Sequence, residues 1–380
     1  MKKFIPLSVP NFNGNEKKYV LETIDTEWVS TSGKQIGQFE NKIADYVGAA
    51  GAVACQSGTA GIHLAMLSLG IGKEDIVLVP TLTFIAAVNP VKYVGATPIF
   101  FDCDEFLTID VSKVEKFCEE ECQVLEDKLI HKETNKCIRA IIVVHVFGNL
   151  ADMYEIMRIA EKYHIKVVED ATEALGSYYT EGVYKGKYAG TIGDIGVYSF
   201  NGNKIITTGG GGMIVSNNAL LLDRCKHLST QAKSDMVYFD HDEIGYNYRM
   251  TNLQAALGLA QLEQLEEFIE KKKNNYELYN RLGINLKPFR GNIRPNYWFY
   301  SYQSKDRDKL IQYLTEHQIQ SRPIWKLIHT LGPYKNESKY NIVQAYYFYN
   351  LIVNIPCSSQ LCDEEVKYVS KCIYEFNSFV

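Results

Sequence analysis

Between residue 50 and about residue 226, short apolar runs alternate with stretches of helical pattern, and this alternation limits the fold more than any single motif. The runs are AVAC (52–55), DIVLVP (75–80), TPIFFD (97–102), RAIIVVHV (139–146), IKVVED (165–170) and DIGVYSF (194–200). Segments such as TAGIHLAMLSLG and ADMYEIMRIAEKYH stand between them. A strand that is apolar on both faces needs cover on both faces. The pattern therefore predicts an α/β fold with a mostly parallel sheet covered by helices. From about residue 250 the texture changes: residues 251–282 read as one long helix leading into a smaller, mixed region. A chain of 380 residues is expected to divide in two. The division predicted here is a large unit with an N-terminal arm (1–245) and a smaller C-terminal α+β unit (246–380). The charged stretch FCEEECQVLEDKLIHKETNKC (117–137) is expected to be a surface excursion.

Composition excludes several classes of function. Hydrophobic residues make up 46% and charged residues 22%, with a formal net charge of −5, so no basic excess points to nucleic acid. No apolar run approaches the roughly 18 to 20 residues that span a bilayer. The start, MKKFIPLSVPNFNGNE, reaches polar residues too soon for a secretory leader, and a cytoplasmic protein is expected. Nine cysteines without a CxxC pair suit neither a disulfide framework nor a zinc site. Cys118 and Cys122 are four residues apart in FCEEEC, but no histidine pair accompanies them, and no metal is expected.

Ligands of such a sheet bind beyond the carboxyl ends of its strands, and three features stand there. After AVAC comes QSGTAG, a small-residue turn opening a helical pattern; Gly58 and Thr59 could cap the helix or cradle a phosphate on its backbone N–H groups. No GxxxxGK[ST] loop occurs, and GVYKGKY (182–188) has the wrong spacing for one. The run VVEDATEALG ends a strand in Glu169 and Asp170, with Glu173 just beyond. Asp170 could cap a helix, or it could hold a cationic heterocycle such as a protonated pyridine. After IGVYSF, Lys204 stands in SFNGNKIITTGGGG, where it could be a solvated charge or an imine-forming amine. The glycines at 209–212 are expected to let the chain reverse at backbone angles that other residues resist. On successive strand ends, a phosphate turn, an aspartate and a lysine together meet the needs of pyridoxal phosphate.

The segments SGTAGIHLAMLSLGIG, VPTLTFIAAVNPVKYVGATPIFFDCD, HVFGNLADM, VVEDATEALGSYY, GDIGVYSFNGNKIITTGGGGM and GYNYRMTNLQAALGLAQLEQL closely resemble the DegT/StrS nucleotide-sugar aminotransferases. The resemblance runs in order from about residue 5 to 275 and more loosely to the end. GNKIITTGGGGM, the glutamate of EDATEALG and SRPIWKLIH look most like the branch forming UDP-4-amino-4,6-dideoxy-N-acetylhexosamines for bacillosamine and legionaminic acid. The resemblance implies fold type I of the pyridoxal phosphate enzymes, a homodimer with shared active sites, and L-glutamate as amino donor to a C4 keto sugar. It makes Lys204 the Schiff-base lysine and proton carrier, and Asp170 the partner of the pyridine nitrogen. Gly58, Thr59 and Ser199 become phosphate contacts, Asn247 a phosphate contact from the neighbouring subunit, and Phe84 the ring stacked on the cofactor. Glu173 falls where many relatives have His or Gln near the ring hydroxyl.

Trp28, Arg249, Arg322 and His329 are candidate contacts of the sugar nucleotide. A subunit ion pair would equally explain Arg249, and interface packing would explain Trp28. Arg322 could meet a diphosphate or the donor carboxylate bidentately. A GDP-linked, 3-keto or non-nucleotide sugar is the neighbouring alternative as acceptor. Relatives that are dehydratases carry histidine at the lysine position, so Lys204 argues against that class. A cofactor-binding relative without turnover is the remaining alternative.

Overall fold

Each of the six apolar runs becomes a strand of one sheet. The computed structural model describes residues 3–235 and 237–379, with the backbone alone for Phe379. It places β1 at Gly51–Cys55, β2 at Asp75–Pro80 and β3 at Thr97–Phe101. The charged excursion folds into a hairpin of β4 (Cys122–Leu125) and β5 (Lys128–His131) beside β6 (Cys137–Val144). Then come β7 (Lys166–Asp170), a short β8 (Tyr178–Tyr179), β9 (Ile195–Ser199) and β10 (Gly212–Ser216). Across the sheet the order is β1-β10-β9-β7-β6-β2-β3, continued by a two-residue β14 (Lys339–Tyr340). Pairings from β9 to β14 are parallel, whereas β10 is antiparallel to both its neighbours.

The double cover shows in the pleat. On β2, Ile76 and Leu78 enter one apolar cluster while Val77 and Val79 enter the other. On β9, Ile195 and Val197 face one cluster and Tyr198 faces the opposite one. Side chains alternate across a strand, so only apolar residues at both parities can fill two cores. Helices α1 (Glu16–Asp25), α2 (Lys34–Val47), α3 (Gly58–Ser68), α4 (Asn89–Tyr93), α5 (Val111–Glu120), α6 (Met153–Tyr163) and α7 (Ala219–Ser229) occur in this part of the chain. Helix α3 is buried along almost its whole length, lying between the sheet and the helices α4 and α7.

The expected single helix over 251–282 is two helices, α8 (Asn252–Leu262) and α9 (Leu265–Arg281). Thr251 and Gln254 form a capping box that starts α8. The break has a polar anchor: the amides of Gln261 and Gln264 both donate to the buried carboxylate of Glu16. Beyond it β11 (Ile293–Arg294) pairs with β8, and β12 (Tyr300–Gln303), β15 (Ile352–Ile355) and β13 (Arg322–Pro323) form a small antiparallel sheet. Helices α10 (Arg307–Glu316), α11 (Gln344–Leu351) and α12 (Asp363–Phe379) accompany it, with α9 packed on α12. Packing crosses the boundary expected at 245/246 in several places, the pairings of β14 with β3 and of β11 with β8 among them. Helix α8 lies on α1 and α2, and the arm at Ile5 and Leu7 bonds to Gln318, Gln320 and Cys357 of the C-terminal part. No helix among the described residues is long and apolar enough to cross a membrane.

Candidate active site

Strands β1, β7 and β9 end at one cavity of about 250 Å³, walled by Ser57, Gly58, Thr59, Asp170, Glu173, Ser199 and Lys204, with Phe84 also on its lining. The turn after β1 enters α3 through an extended Ser57, whose Oγ accepts the Ala60 N–H at 3.1 Å. That cap leaves the N–H groups of Gly58 and Thr59 at the positive end of the helix, an anion site in kind. Space there permits little but glycine. A Cβ on Gly58 would stand 2.8 Å from Thr172 Cγ2, and one on Gly212 would stand 2.6 Å from the Ser57 carbonyl carbon. Ser199, the last residue of β9, pairs with Gly212 and closes the same corner.

Adjacent carboxylates on β7 face opposite ways. Glu169 accepts N–H groups of Gly190, Ile192 and Gly193 and bonds His145 Nε2 at 2.8 Å. Burial alone would raise its pKa, but His145 and those amides outweigh it, and the pKa falls below the usual value. Asp170 lines the cavity instead, 3% exposed, with Oδ1 accepting the Thr172 N–H at 3.0 Å. Burial raises its pKa, opposed by the Thr172 bonds and the Lys204 charge. The bonding is of the kind a helix cap makes, yet no helix follows: residues 172–173 and 175–176 are turns. A buried carboxylate on a cavity wall is costly unless something positive faces it, and a protonated ring nitrogen fits that need.

Glu173 accepts the Phe147 N–H at 2.8 Å and stands 3.8 Å from Lys204 Nζ. Burial pushes its pKa up to about 7 against the pull of Lys204. Lys204 follows a tight turn closed by its own N–H on the Asn201 carbonyl at 3.0 Å. Burial lowers its pKa, with Glu173 and Asp170 opposing. A corner suited to an anion, a buried carboxylate and a largely covered amine therefore share one cavity, and the residues present fit pyridoxal phosphate. Phe84 is 52% exposed and inclined to Trp325 at 6.4 Å, so it is not a core phenylalanine.

The remaining candidates lie elsewhere. Trp28 is 60% exposed in a separate hollow with Gly33, Lys34 and Gln35. Asn247 bridges to Thr230 and Arg249 to Cys55, both off the cavity wall; the Arg249 Nε is buried without a partner. Arg322 is exposed on β13, in a groove that shares Asn203, Phe299 and Trp325 with the cavity. His329 is not on the cavity wall. It is buried, with Nδ1 at 2.6 Å from Thr81 Oγ1 and Nε2 at 2.8 Å from the Tyr346 hydroxyl, and burial lowers its pKa to about 4. Sequence reasoning missed Thr172, Asn203, Trp298, Phe299 and Trp325 on the cavity wall. The available signal was rarity: the chain has three tryptophans, and two of them line this cavity.

Residues 10–374 match the DegT/DnrJ/EryC1/StrS aminotransferase family. The chain is 40% identical over 385 residues to a GDP-perosamine synthase of Escherichia coli O157:H7, covering 99% of each chain. It is 32% identical to a UDP-4-amino-4,6-dideoxy-N-acetyl-beta-L-altrosamine transaminase of Campylobacter jejuni, covering 91% of this chain and 90% of that one. A DegT DnrJ EryC1 StrS aminotransferase from Brucella abortus superposes with a TM-score of 0.88 at 26% identity, covering 95% of both chains. With the cavity geometry and a match along nearly its whole length, the chain belongs to the DegT/DnrJ/EryC1/StrS family and is a pyridoxal phosphate-dependent sugar aminotransferase.

Proposed function

We propose that the chain transfers the amino group of L-glutamate to the C4 ketone of a nucleotide-linked 4-keto-6-deoxyhexose, with a GDP-linked sugar as acceptor. The observation that carries the acceptor is the 40% identity to a GDP-perosamine synthase along the full chain. It reverses the order expected from the sequence, in which a UDP-linked N-acetylhexosamine came first. That second reading keeps the support of the 32% identical C. jejuni transaminase.

Pyridoxal phosphate, when bound, supplies the electron-accepting ring that carries the amino group from donor to acceptor. The chain's residues do the rest. Ser57, Gly58, Thr59 and Ser199 would hold the phosphate, and Asp170 would keep a proton on the ring nitrogen. Lys204 would be the residue that holds the cofactor covalently and, once freed, would hold or give up a proton at its amine; its lowered pKa suits a group that must both take and give. Glu173, poised near neutrality, is the nearest acid to that amine. Asn247 serves the partner's site in a homodimer.

The test is a panel of GDP- and UDP-linked 4-keto sugars, with mass detection of the amino product. A GDP preference of about tenfold or more in kcat/KM, roughly 1.4 kcal/mol, is expected. An equal or larger rate with the UDP-linked acceptor would sink the first reading in favour of the second.

A further inference from the structure

Lys204 rests among aromatic side chains as well as acids. Trp298 is 2% exposed, and its indole Nε1–H donates at 2.7 Å to the carbonyl of Asn203, the residue just before the lysine. The ring face of the same indole lies 4.2 Å from Lys204 Nζ. The indole is not free to turn. It stacks on Phe299 with centroids 4.0 Å apart and planes at 6°, and the backbone N–H of Trp298 donates to Asn296 Oδ1 at 3.0 Å. Asn296 also donates to the carbonyls of Glu173 and Leu175, so the same short segment fixes the acid opposite the lysine.

We propose that Trp298 is a positioning residue for amino transfer: its indole is the platform on which the Lys204 amine rests whenever it is not bonded to the cofactor. The proposal rests on Lys204 being the reactive lysine. During transfer that amine must release the cofactor carbon, carry a proton and return to the same place. An aromatic face attracts an ammonium within about 6 Å and does not attract the neutral amine in the same way. The indole thus limits where the freed side chain swings and favours its protonated form, while the Nε1–H bond keeps the preceding backbone in register. The charged groups facing Lys204 are Glu173, at 3.8 Å, and Asp170. Both remain in every variant below, so differences between variants report on the indole.

The experiment uses the apo chain and added pyridoxal phosphate, following growth of the visible band over about pH 6 to 10. Trp298→Leu removes face and donor, Trp298→Phe removes the donor and keeps a smaller aromatic face, and Lys204→Ala gives the background. In Trp298→Leu the pH of half-maximal rate is expected to fall by about half to one unit, the size of one cation–π contact, whereas Trp298→Phe keeps most of the wild-type value. In the loaded enzyme, kcat with glutamate is expected to fall about tenfold in Trp298→Leu at a nearly constant KM, and Trp298→Phe to recover most of it. An unshifted midpoint in Trp298→Leu overturns the proposal, as does a joint change of kcat and KM that Phe fails to rescue. Should Trp298→Leu not fold, ring-fluorinated tryptophan weakens the face without altering packing. It is expected to lower the midpoint in the wild type but not in Trp298→Phe, and equal midpoints in the two chains reject the platform. The apo measurement involves no keto sugar, so it decides the role of Trp298 whichever acceptor the enzyme uses. Band formation at wild-type rate in Lys204→Ala would remove the reactive lysine, and with it this proposal.

Discussion

Two buried carboxylates, Asp170 and Glu173, line one cavity but hold different partners, and their substitutions should separate. Asp170 has no cation among the described residues within ion-pair distance, and its proposed partner in the loaded enzyme is the ring nitrogen. Asp170→Asn cannot stabilise a proton there. Turnover is expected to fall on the order of 10³-fold while the visible band of the loaded enzyme still forms, which steady-state rates and absorbance check together. Glu173 is a stability matter in the apo chain. Its folded pKa of about 7 lies above the ordinary 4.5, so the folded state holds the proton more tightly. Its contribution is complete below pH 4.5 and is lost as the pH rises to about 7. Denaturant titrations of the apo chain should show stability declining across that window, and Glu173→Gln should flatten the decline. A slope unchanged by Glu173→Gln would contradict the assignment.

At the level of elements, the site depends on how strand ends meet a helix start. Ser57→Ala removes the cap on α3 and should cost about 1 kcal/mol by chemical denaturation. Pyridoxal phosphate should also bind less tightly, because the freed turn no longer holds the Gly58 and Thr59 N–H groups in line. The glycine run 209–212 does two jobs. Gly209 alone of the four has a positive φ, +77°, and needs glycine for its backbone angle. Gly211 and Gly212 need it for space, since a Cβ there would meet Thr208 Oγ1 at 2.3 Å and the Ser57 carbonyl carbon at 2.6 Å. Gly210 has open room, its nearest neighbour being Gln254 Nε2 at 3.9 Å. Gly210→Ala is therefore expected to change stability by about 0.5 kcal/mol or less, whereas Gly212→Ala should cost several times more, on the order of 2–3 kcal/mol, with thermal unfolding as the readout. The reversal expected of all four glycines comes from the first, and close approach explains two of the others.

For the whole molecule, the placement of Asn247 off its own chain's cavity frames the proposed sharing of sites across a homodimer. The prediction is one of complementation. A Lys204→Ala chain co-expressed with an Asn247→Ala chain forms mixed dimers in which one site lacks both residues and the other lacks neither. Random pairing should restore about a quarter of wild-type activity from two weak parents. Activity no higher than the average of the parents would show that each site is built from one chain.

The sequence by itself determined the sheet and the chemical core of the site. Two-sided apolar runs can be satisfied only by cover on both faces; Asp170 and Ser199 stand at the ends of two such runs, and Gly58 and Thr59 three and four residues past a third, where the chain direction alone brings them to one sheet edge. The tertiary structure decided what distance along the chain conceals. Trp298 and Trp325 lie about a hundred residues beyond Lys204, yet they reach the cavity because the C-terminal sheet docks over the strand ends. The same docking turns His329 inward to Thr81 and Tyr346. The break between α8 and α9 depends on Glu16, whose carboxylate arrives from the far end of the chain to bind two glutamine amides. Local pattern governs which residues a strand presents, because the pleat repeats every two residues. Which aromatic, acid or amide meets it from another element is set by packing, and packing is not written in any local period.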